Sequence, residues 1–276
     1  IEVLRSLGVS VEWKGANVVI TPPAKISLET IDTAAATKTR SILMFIGSLI
    51  HEFTDFELPQ SGGCTLGLRT VRPHFMALEK FGVEIETRSE SYHITRAELL
   101  PAEIVLYESS DTATINALLA AARIDGTSVI KYASANYQVQ EVCGYLRMLG
   151  VGIDGIGSTT LTIHGITDID TNISYSVAED PTDAMFFVSA AAVTGSAITI
   201  VGAPIEFLEV ELLILEKMGL HFSLSNKRVS ENSITKLVDI QIEPSELTAF
   251  PEKIHARPYP GLNIDNLPFF AVIAAQ

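Results

Sequence analysis

One short motif recurs four times along the chain and limits the available folds more than any other feature. Leu4-Arg5-Ser6-Leu7-Gly8-Val9, Leu78-Glu79-Lys80-Phe81-Gly82-Val83, Leu146-Arg147-Met148-Leu149-Gly150-Val151 and Leu215-Glu216-Lys217-Met218-Gly219-Leu220 share one pattern. Their glycines stand at 8, 82, 150 and 219, at spacings of 74, 68 and 69 residues. Each follows an apolar stripe at helical spacing, as in Val139, Val142, Leu146 and Leu149, and precedes a strand-like run such as Val9–Trp13 or Val83–Thr87. Glycine in that place reads as a helix terminator, because it takes a left-handed backbone without a Cβ penalty. A second strand follows at Asn17–Ile20, Ser91–Ile94 and Thr160–Ile163.

An upstream helix repeats too. Asp111 opens one that stops at Gly126, and Asp180-Pro181 opens another that stops at Gly195, both 15 residues from Asp to Gly. Aspartate suits the N-cap and proline the first helical position. Thr39–Thr54 is the matching helix one unit earlier, and strands follow the three helices at Phe56–Leu58, Val129–Tyr132 and Ile198–Val201. The unit is therefore strand-helix-strand-helix-strand-strand, about 70 residues long and longer than a solenoid repeat, which suggests domains built from several copies. Residues 1–28 read as the tail of one unit, and 29–99, 100–166 and 167–240 as whole units. Residues 241–276 open another, with Ile240–Ile242 as its strand and Asp265 opening its helix. The acidic stretch Asn226–Glu252 reads as an inserted loop. Two domains are expected, 1–177 and 178–276, each incomplete at one end, since the chain opens on Ile1 and stops inside an apolar run at Gln276.

Apolar residues make up 47% of the 276 positions and charged ones 19%, enough for a sizeable core and too apolar for a disordered chain. With 19 Lys and Arg against 33 Asp and Glu, the formal net charge is −14, which argues against nucleic-acid or anionic-membrane partners. Anionic substrates must then be met by individual arginines. Two cysteines, Cys64 and Cys143, rule out a disulfide scaffold and favour a reducing, cytoplasmic setting. No Cys/His cluster has zinc-site spacing. Ala184–Ile205 holds 22 uncharged residues, long enough to span a membrane, but Gly195-Ser196 divides it into helix, turn and strand.

The repeat is broken at one place. From mid-strand to capping glycine, Val129 to Gly150 and Ile198 to Gly219 each count 21, whereas Phe56 to Gly82 counts 26. The surplus lies in Pro59-Gln60-Ser61-Gly62-Gly63-Cys64-Thr65-Leu66-Gly67-Leu68-Arg69. A glycine-rich insertion lets backbone approach a ligand, and this one carries a thiol and a guanidinium into a helix that begins near Val71. Helix N-termini favour anions and lower nearby thiol pKa values. Cys143, on the Val139/Val142/Leu146 face, reads instead as core.

The run Gly62-Gly63-Cys64-Thr65-Leu66-Gly67-Leu68-Arg69, followed by His74, resembles the active-site loop of the UDP-N-acetylglucosamine enolpyruvyl transferases (1-carboxyvinyltransferases). Thr39-Arg40-Ser41-Ile42, Ala178–Val188 and Pro258-Tyr259-Pro260-Gly261-Leu262-Asn263-Ile264-Asp265 resemble further segments of that family, so the likeness covers nearly the whole chain. It implies an α/β fold of the enolpyruvyl transferase (EPSP synthase-like) type, an inside-out α/β barrel with two domains of βαβαββ units.

It also implies transfer of the enolpyruvyl group of phosphoenolpyruvate to the 3-hydroxyl of UDP-N-acetylglucosamine with release of phosphate, the first committed step of peptidoglycan precursor synthesis. No cofactor and no metal is implied, and a monomer without nucleic-acid or membrane partners is expected. Carried over by position, Cys64 is the general acid and Asp265 accepts or anchors the hydroxyl proton. Arg40 and Arg69 hold anionic oxygens, Thr70, Val71, Arg72 and Pro73 contact the uridine nucleotide, and Ser110 and Asp111 line the diphosphate. His74 reads as structural. Thr70 and Arg72 replace the family's Pro and Asp, and Glu108 stands where the family often has Lys. These departures motivate one alternative, a non-catalytic homologue that binds a nucleotide sugar or a partner enzyme; a second is the sister activity on shikimate 3-phosphate, which shares the unit and the fold but lacks the Gly-Gly-Cys loop.

Overall fold

The repeat appears in space as three sheets with the same strand order. A computed structural model of the chain describes residues 1–62 and 70–276. Helix α1 (Glu2–Ser6) leads into the hairpin β1 (Ser10–Lys14) and β2 (Asn17–Thr21). Next come α2 (Thr33–Ala36), a 3-10 turn over Arg40–Met44, and α3 (Phe45–Leu49). They are followed by β3 (Asp55–Pro59), α4 (Arg72–Glu79), β4 (Val83–Thr87) and β5 (Ser91–Arg96). Residues 100–166 hold all six expected elements: β6 (Glu103–Val105), α5 (Asp111–Ala121), β7 (Gly126–Lys131), α6 (Tyr137–Met148), β8 (Gly152–Asp154) and β9 (Thr160–Gly165). The chain continues through α7 (Pro181–Thr194), β10 (Ile198–Pro204), α8 (Glu209–Met218), β11 (Phe222–Val229), β12 (Lys236–Ile242) and α9 (Leu267–Ala274).

The sheets run β3-β5-β4, β6-β7-β9-β8 and β10-β12-β11. In each, the last strand of the unit lies between the two before it and is antiparallel to both, while β6 adds parallel to β7. Register places one fully buried isoleucine at the centre of each sheet. Ile94 faces Phe56 and Ile85, Ile163 faces Ser128 and Ile153, and Ile240 faces Ile200 and Leu224. A one-residue slip would turn these side chains to the opposite face, so burial fixes the pairing.

The four punctuating glycines behave as expected, with φ of 90°, 91°, 99° and 105° at Gly8, Gly82, Gly150 and Gly219. Ala184–Ile205 is α7, a turn at left-handed Gly195, and β10. Among the described residues no helix is long and apolar enough to cross a membrane.

Several sequence expectations are corrected. Thr39–Thr54 is not one helix but the 3-10 turn followed by the single-turn α3, because a carboxamide from α5 engages its backbone, as described below. Helix α5 ends at Ala121, and Gly126 opens β7 instead of closing the helix. Ser110, not Asp111, is its N-cap, with the hydroxyl accepting from Ala113 N–H. Ile240–Ile242 does not open a new unit; it ends β12, the central strand of the third sheet. Much of the supposed inserted loop Asn226–Glu252 is thus the β11–β12 hairpin, whose acidic Asp239 is paired rather than solvated. Asp239 accepts from Gly202 N–H, Asn226 and Arg228, and these partners hold its carboxyl down at about 2. Among the described residues, the units 29–99 and 167–240 have no opening strand.

Contacts divide the described chain into two compact units. The first comprises Ile1–Ala133, Val151–Gly155 and Thr160–Ile169, and its core includes Leu43, Ile46, Leu58, Leu78, Phe81 and Leu118. The second comprises Ser134–Gly150, Ile156–Thr159 and Asp170–Gln276, with Met185, Val188, Leu208, Leu215 and Ile240 at its centre.

The capping glycines carry a stability test. At Gly82 a Cβ would meet the Glu98 carbonyl oxygen at 2.8 Å, whereas at Gly15 (φ 65°) it would meet nothing within 4 Å. Gly15→Ala should cost about 1 kcal/mol for the left-handed backbone alone, and Gly82→Ala about 2–4 kcal/mol, read as the difference in urea midpoints.

Candidate functional site

In the first unit, four short elements bring most of the candidate residues to one neighbourhood. The strand β3 ends at Pro59, and the chain leaves it tethered by Gln60 N–H on the Glu90 carbonyl at 3.0 Å. Gly62 then lies so close to the Thr37 carbonyl that no Cβ would fit. Cys64 and Arg69 lie outside the described residues. The chain returns at Thr70, whose hydroxyl accepts from Arg72 N–H at 3.1 Å at the start of α4, with Pro73 in the first turn. Thr70 and Arg72 are exposed, Val71 is half-buried and Pro73 is buried. Arg40 opens the 3-10 turn and donates from Nη2 to the Thr70 carbonyl at 3.1 Å. Ser110 and Asp111, both half-buried, form the N-terminus of α5.

Beneath these residues lies a buried polar network. Asn116 on α5 is fully buried and His74 on α4 is 3% exposed. Gly47 N–H donates to Asn116 Oδ1 at 2.7 Å, and Asn116 Nδ2 donates to the Leu43 carbonyl at 2.9 Å. Asn116 Nδ2 also stands 3.2 Å from His74 Nδ1, and His74 Nε2 stands 3.1 Å from Thr112 Oγ1. Gly47 has no room for a Cβ against the Asn116 carbonyl oxygen, which explains the glycine inside α3. Burial, reinforced by the Arg40 charge, pulls His74 down to about 4. The imidazole is therefore neutral at ordinary pH. The sequence signal for this hub was one asparagine inside the apolar run Ile115-Asn116-Ala117-Leu118; its partners were not legible.

Asp265 belongs to the second unit. It is not the N-cap of α9: Asn263 caps a 3-10 turn over Ile264–Asn266 and accepts from Asp265 N–H at 3.0 Å, leaving the exposed Asp265 carboxylate uncommitted to capping. The turn is held from beneath by Glu211 on α8, 1% exposed, whose Oε1 accepts from Asn263 N–H at 3.2 Å and from Asn266 Nδ2 at 2.8 Å. Burial raises the Glu211 pKa against the opposing effect of these bonds. Tyr137 is close enough to Asp265 and Asp180 to feel their charges. Burial first, and those carboxylates next, push its phenol up to about 12, while a hydrogen bond with Thr182 opposes the rise. Asp180 caps α7 as expected, accepting from Thr182 N–H at 2.8 Å. Cys143 is fully buried, and burial pushes its thiol up to about 12, consistent with a core residue. Among the described residues no group of three His, Cys, Asp or Glu is arranged to hold a metal ion.

The family profile of EPSP synthase (3-phosphoshikimate 1-carboxyvinyltransferase) matches residues 1–275. The chain belongs to this family. Among curated relatives, the UDP-N-acetylglucosamine 1-carboxyvinyltransferase of Bradyrhizobium diazoefficiens is 28% identical over 278 residues, covering 100% of this chain and 63% of that protein. The enzyme of the same name from Treponema denticola is 30% identical over 276 residues, with the same coverage. The chain thus spans about 63% of the length of these family members. The enolpyruvyl transferase NikO from Streptomyces tendae superposes with a TM-score of 0.75 at 18% identity over 99% of this chain and 63% of its own. EPSP synthase from Acinetobacter baumannii gives 0.64 at 20% identity over 99% of this chain and 60% of its own. The expected α/β fold of this family is borne out.

Glu211 supplies a pH test. An acid whose folded pKa lies above its unfolded value binds more protons when folded, so stability is greatest below the ordinary glutamate range and falls as pH rises toward the folded value. Glu211→Gln retains an acceptor for Asn263 and Asn266 and should abolish that decline. Glu211→Leu orphans both donors and should cost about 1–3 kcal/mol for each at every pH. Urea denaturation at pH 4, 5.5 and 7 reads both.

Proposed function

We propose that the protein transfers the enolpyruvyl group of phosphoenolpyruvate to the 3-hydroxyl of UDP-N-acetylglucosamine, releasing phosphate and providing a peptidoglycan precursor. The observation that carries this reading is the Gly62-Gly63-Cys64 insertion, with Arg69 at its end, at the one place where the repeat is broken. It stands in a chain whose curated relatives bear the name of that activity. The family profile's own name, by contrast, favours the shikimate 3-phosphate acceptor as the second reading.

In the proposed reaction the sugar hydroxyl adds to the central carbon of phosphoenolpyruvate while the methylene carbon gains a proton. Loss of phosphate and of one proton from the new methyl group then leaves the enol ether. Cys64 supplies the proton from its thiol. Asp265 receives or anchors the hydroxyl proton, a role compatible with a carboxylate that caps no helix. Arg69 and Arg40 meet anionic oxygens with the planar guanidinium fork. Arg40 already reaches the Thr70 carbonyl, which ties it to the segment Thr70–Pro73 assigned to the uridine nucleotide. Ser110 and Asp111 lie at the α5 N-terminus, where the helix dipole favours a phosphate; the Asp111 and Glu108 carboxylates oppose it, and a weaker diphosphate contact follows. We assign the two domains to 1–177 and 178–276, and place the protein in the cytoplasm as a monomer.

Phosphate release measured with each acceptor in turn is the deciding experiment: turnover with UDP-N-acetylglucosamine is expected, and turnover with shikimate 3-phosphate alone, or with neither, overturns the proposal. Arg69→Ala should lower kcat/KM at least tenfold, about 1.4 kcal/mol or more, with folding intact. Brief labelling with iodoacetamide or a small phosphonate epoxide, followed by peptide mass mapping, should modify Cys64 and leave buried Cys143 untouched.

A further inference from the structure

We propose that Asn116 and His74 form a positioning pair for the acceptor site, holding the first turn of α4 in register with the first turn of α5 and with the Arg40 turn. The proposal rests on the reading of these three segments as the nucleotide-sugar contacts and goes beyond it in naming what sets their geometry.

The hydrogen-bond chemistry leaves a single arrangement. Gly47 N–H is only a donor, so Asn116 must turn Oδ1 toward it; the Leu43 carbonyl is only an acceptor, so the amide NH₂ must face it. The second amide hydrogen then points at His74 Nδ1, 3.2 Å away, which must present a lone pair. The imidazole proton therefore sits on Nε2 and is donated to Thr112 Oγ1. The Gly47 bond joins α5 to α3, the Leu43 bond joins α5 to the 3-10 turn, and the two His74 bonds join α5 to α4. Leu43 lies three residues after Arg40, His74 directly after Pro73, and Thr112 directly after Asp111. A shift of α4 relative to α5 breaks the His74 bond to the exposed Thr112 and the buried Asn116–His74 bond, and no solvent replaces the latter.

A purely structural role would not need this chemistry. Apolar residues of equal shape fill a core as well or better, while a satisfied polar network selects one geometry. The pair also explains why the imidazole, one residue from the proposed nucleotide segment, is walled off rather than offered to ligand: both its nitrogens are engaged and it stays neutral.

The test uses two substitutions in the full chain. Asn at position 74 places its amide where Nδ1 stood and keeps the bond to Asn116; Gln places its amide where Nε2 stood and keeps only the bond to Thr112. His74→Asn is expected to hold the Kd for UDP-N-acetylglucosamine within threefold of wild type, and His74→Gln to raise it at least tenfold, at similar Tm. In ¹⁵N–¹H spectra without ligand, His74→Gln should move the amide signals of Arg72 and Asp111 and His74→Asn should leave them near their places. Should the wild-type protein not bind this nucleotide sugar, the acceptor reading fails while the amide shifts still judge the pair. Should a variant not fold, the ¹⁵N signals of wild-type His74 decide: a protonated Nε2 and bare Nδ1 from pH 8 to pH 5 support the pair. A proton on Nδ1, unmoved amides in His74→Gln, or equal affinities of both variants overturns it.

Discussion

The carboxamide of Asn116 is the constraint on which the first unit's arrangement depends. It is fully buried and bonded to a backbone N–H, a backbone carbonyl and an imidazole from three separate elements. Each bond is worth about 1 kcal/mol net, but leaving a buried partner unmade costs about 1–3 kcal/mol, so the network tolerates one geometry far better than its neighbours. The consequences spread outward. Gly47 must be glycine, the chain before it must turn tightly as a 3-10 segment, and the helix that the local sequence favours there cannot form as one piece. Arg40, Thr70 and the α4 N-terminus inherit their positions from that turn.

The second unit meets a similar need with different chemistry. There a buried carboxylate, Glu211, reaches from a helix to the backbone of a 3-10 turn, as Asn116 does in the first unit, and the turn presents Asp265. In both units a side chain from a regular helix of the repeat secures an irregular segment. The segment is thereby free to carry chemistry, because its backbone order does not rest on its own exposed side chains. The repeat supplies the scaffold, with the central strand of each sheet buried at Ile94, Ile163 or Ile240, and departures from the repeat hold the residues of the proposed site.

Much of the scaffold was legible in the residues. The four glycine-capped helices, the hairpins that follow the first three and the division of Ala184–Ile205 into helix and strand were read correctly, because each depends on local conformational preference. The misread elements fail for identifiable reasons. Ser110 outcompeted Asp111 as a cap because it stands one residue earlier with an equally suitable oxygen. Ile240–Ile242 looked like a new beginning because the long β11–β12 hairpin departs from the short hairpins of the other units. Of the site, the Gly62–Arg69 insertion and Arg40 were visible as motif, whereas Asn116 and Glu211 looked like ordinary helix residues.

The amino-acid sequence alone determined the unit's period and its punctuation, since a glycine at φ near 90° and an apolar stripe act within a few residues of chain. Only the tertiary structure decided which polar groups meet. Asn116 finds its partners 42, 69 and 73 residues away, and Glu211 finds its own 52 and 55 residues away. No local preference encodes such pairs; they arise because the sheets and helices, once packed, exclude water from those groups and leave them only the partners that packing brings alongside.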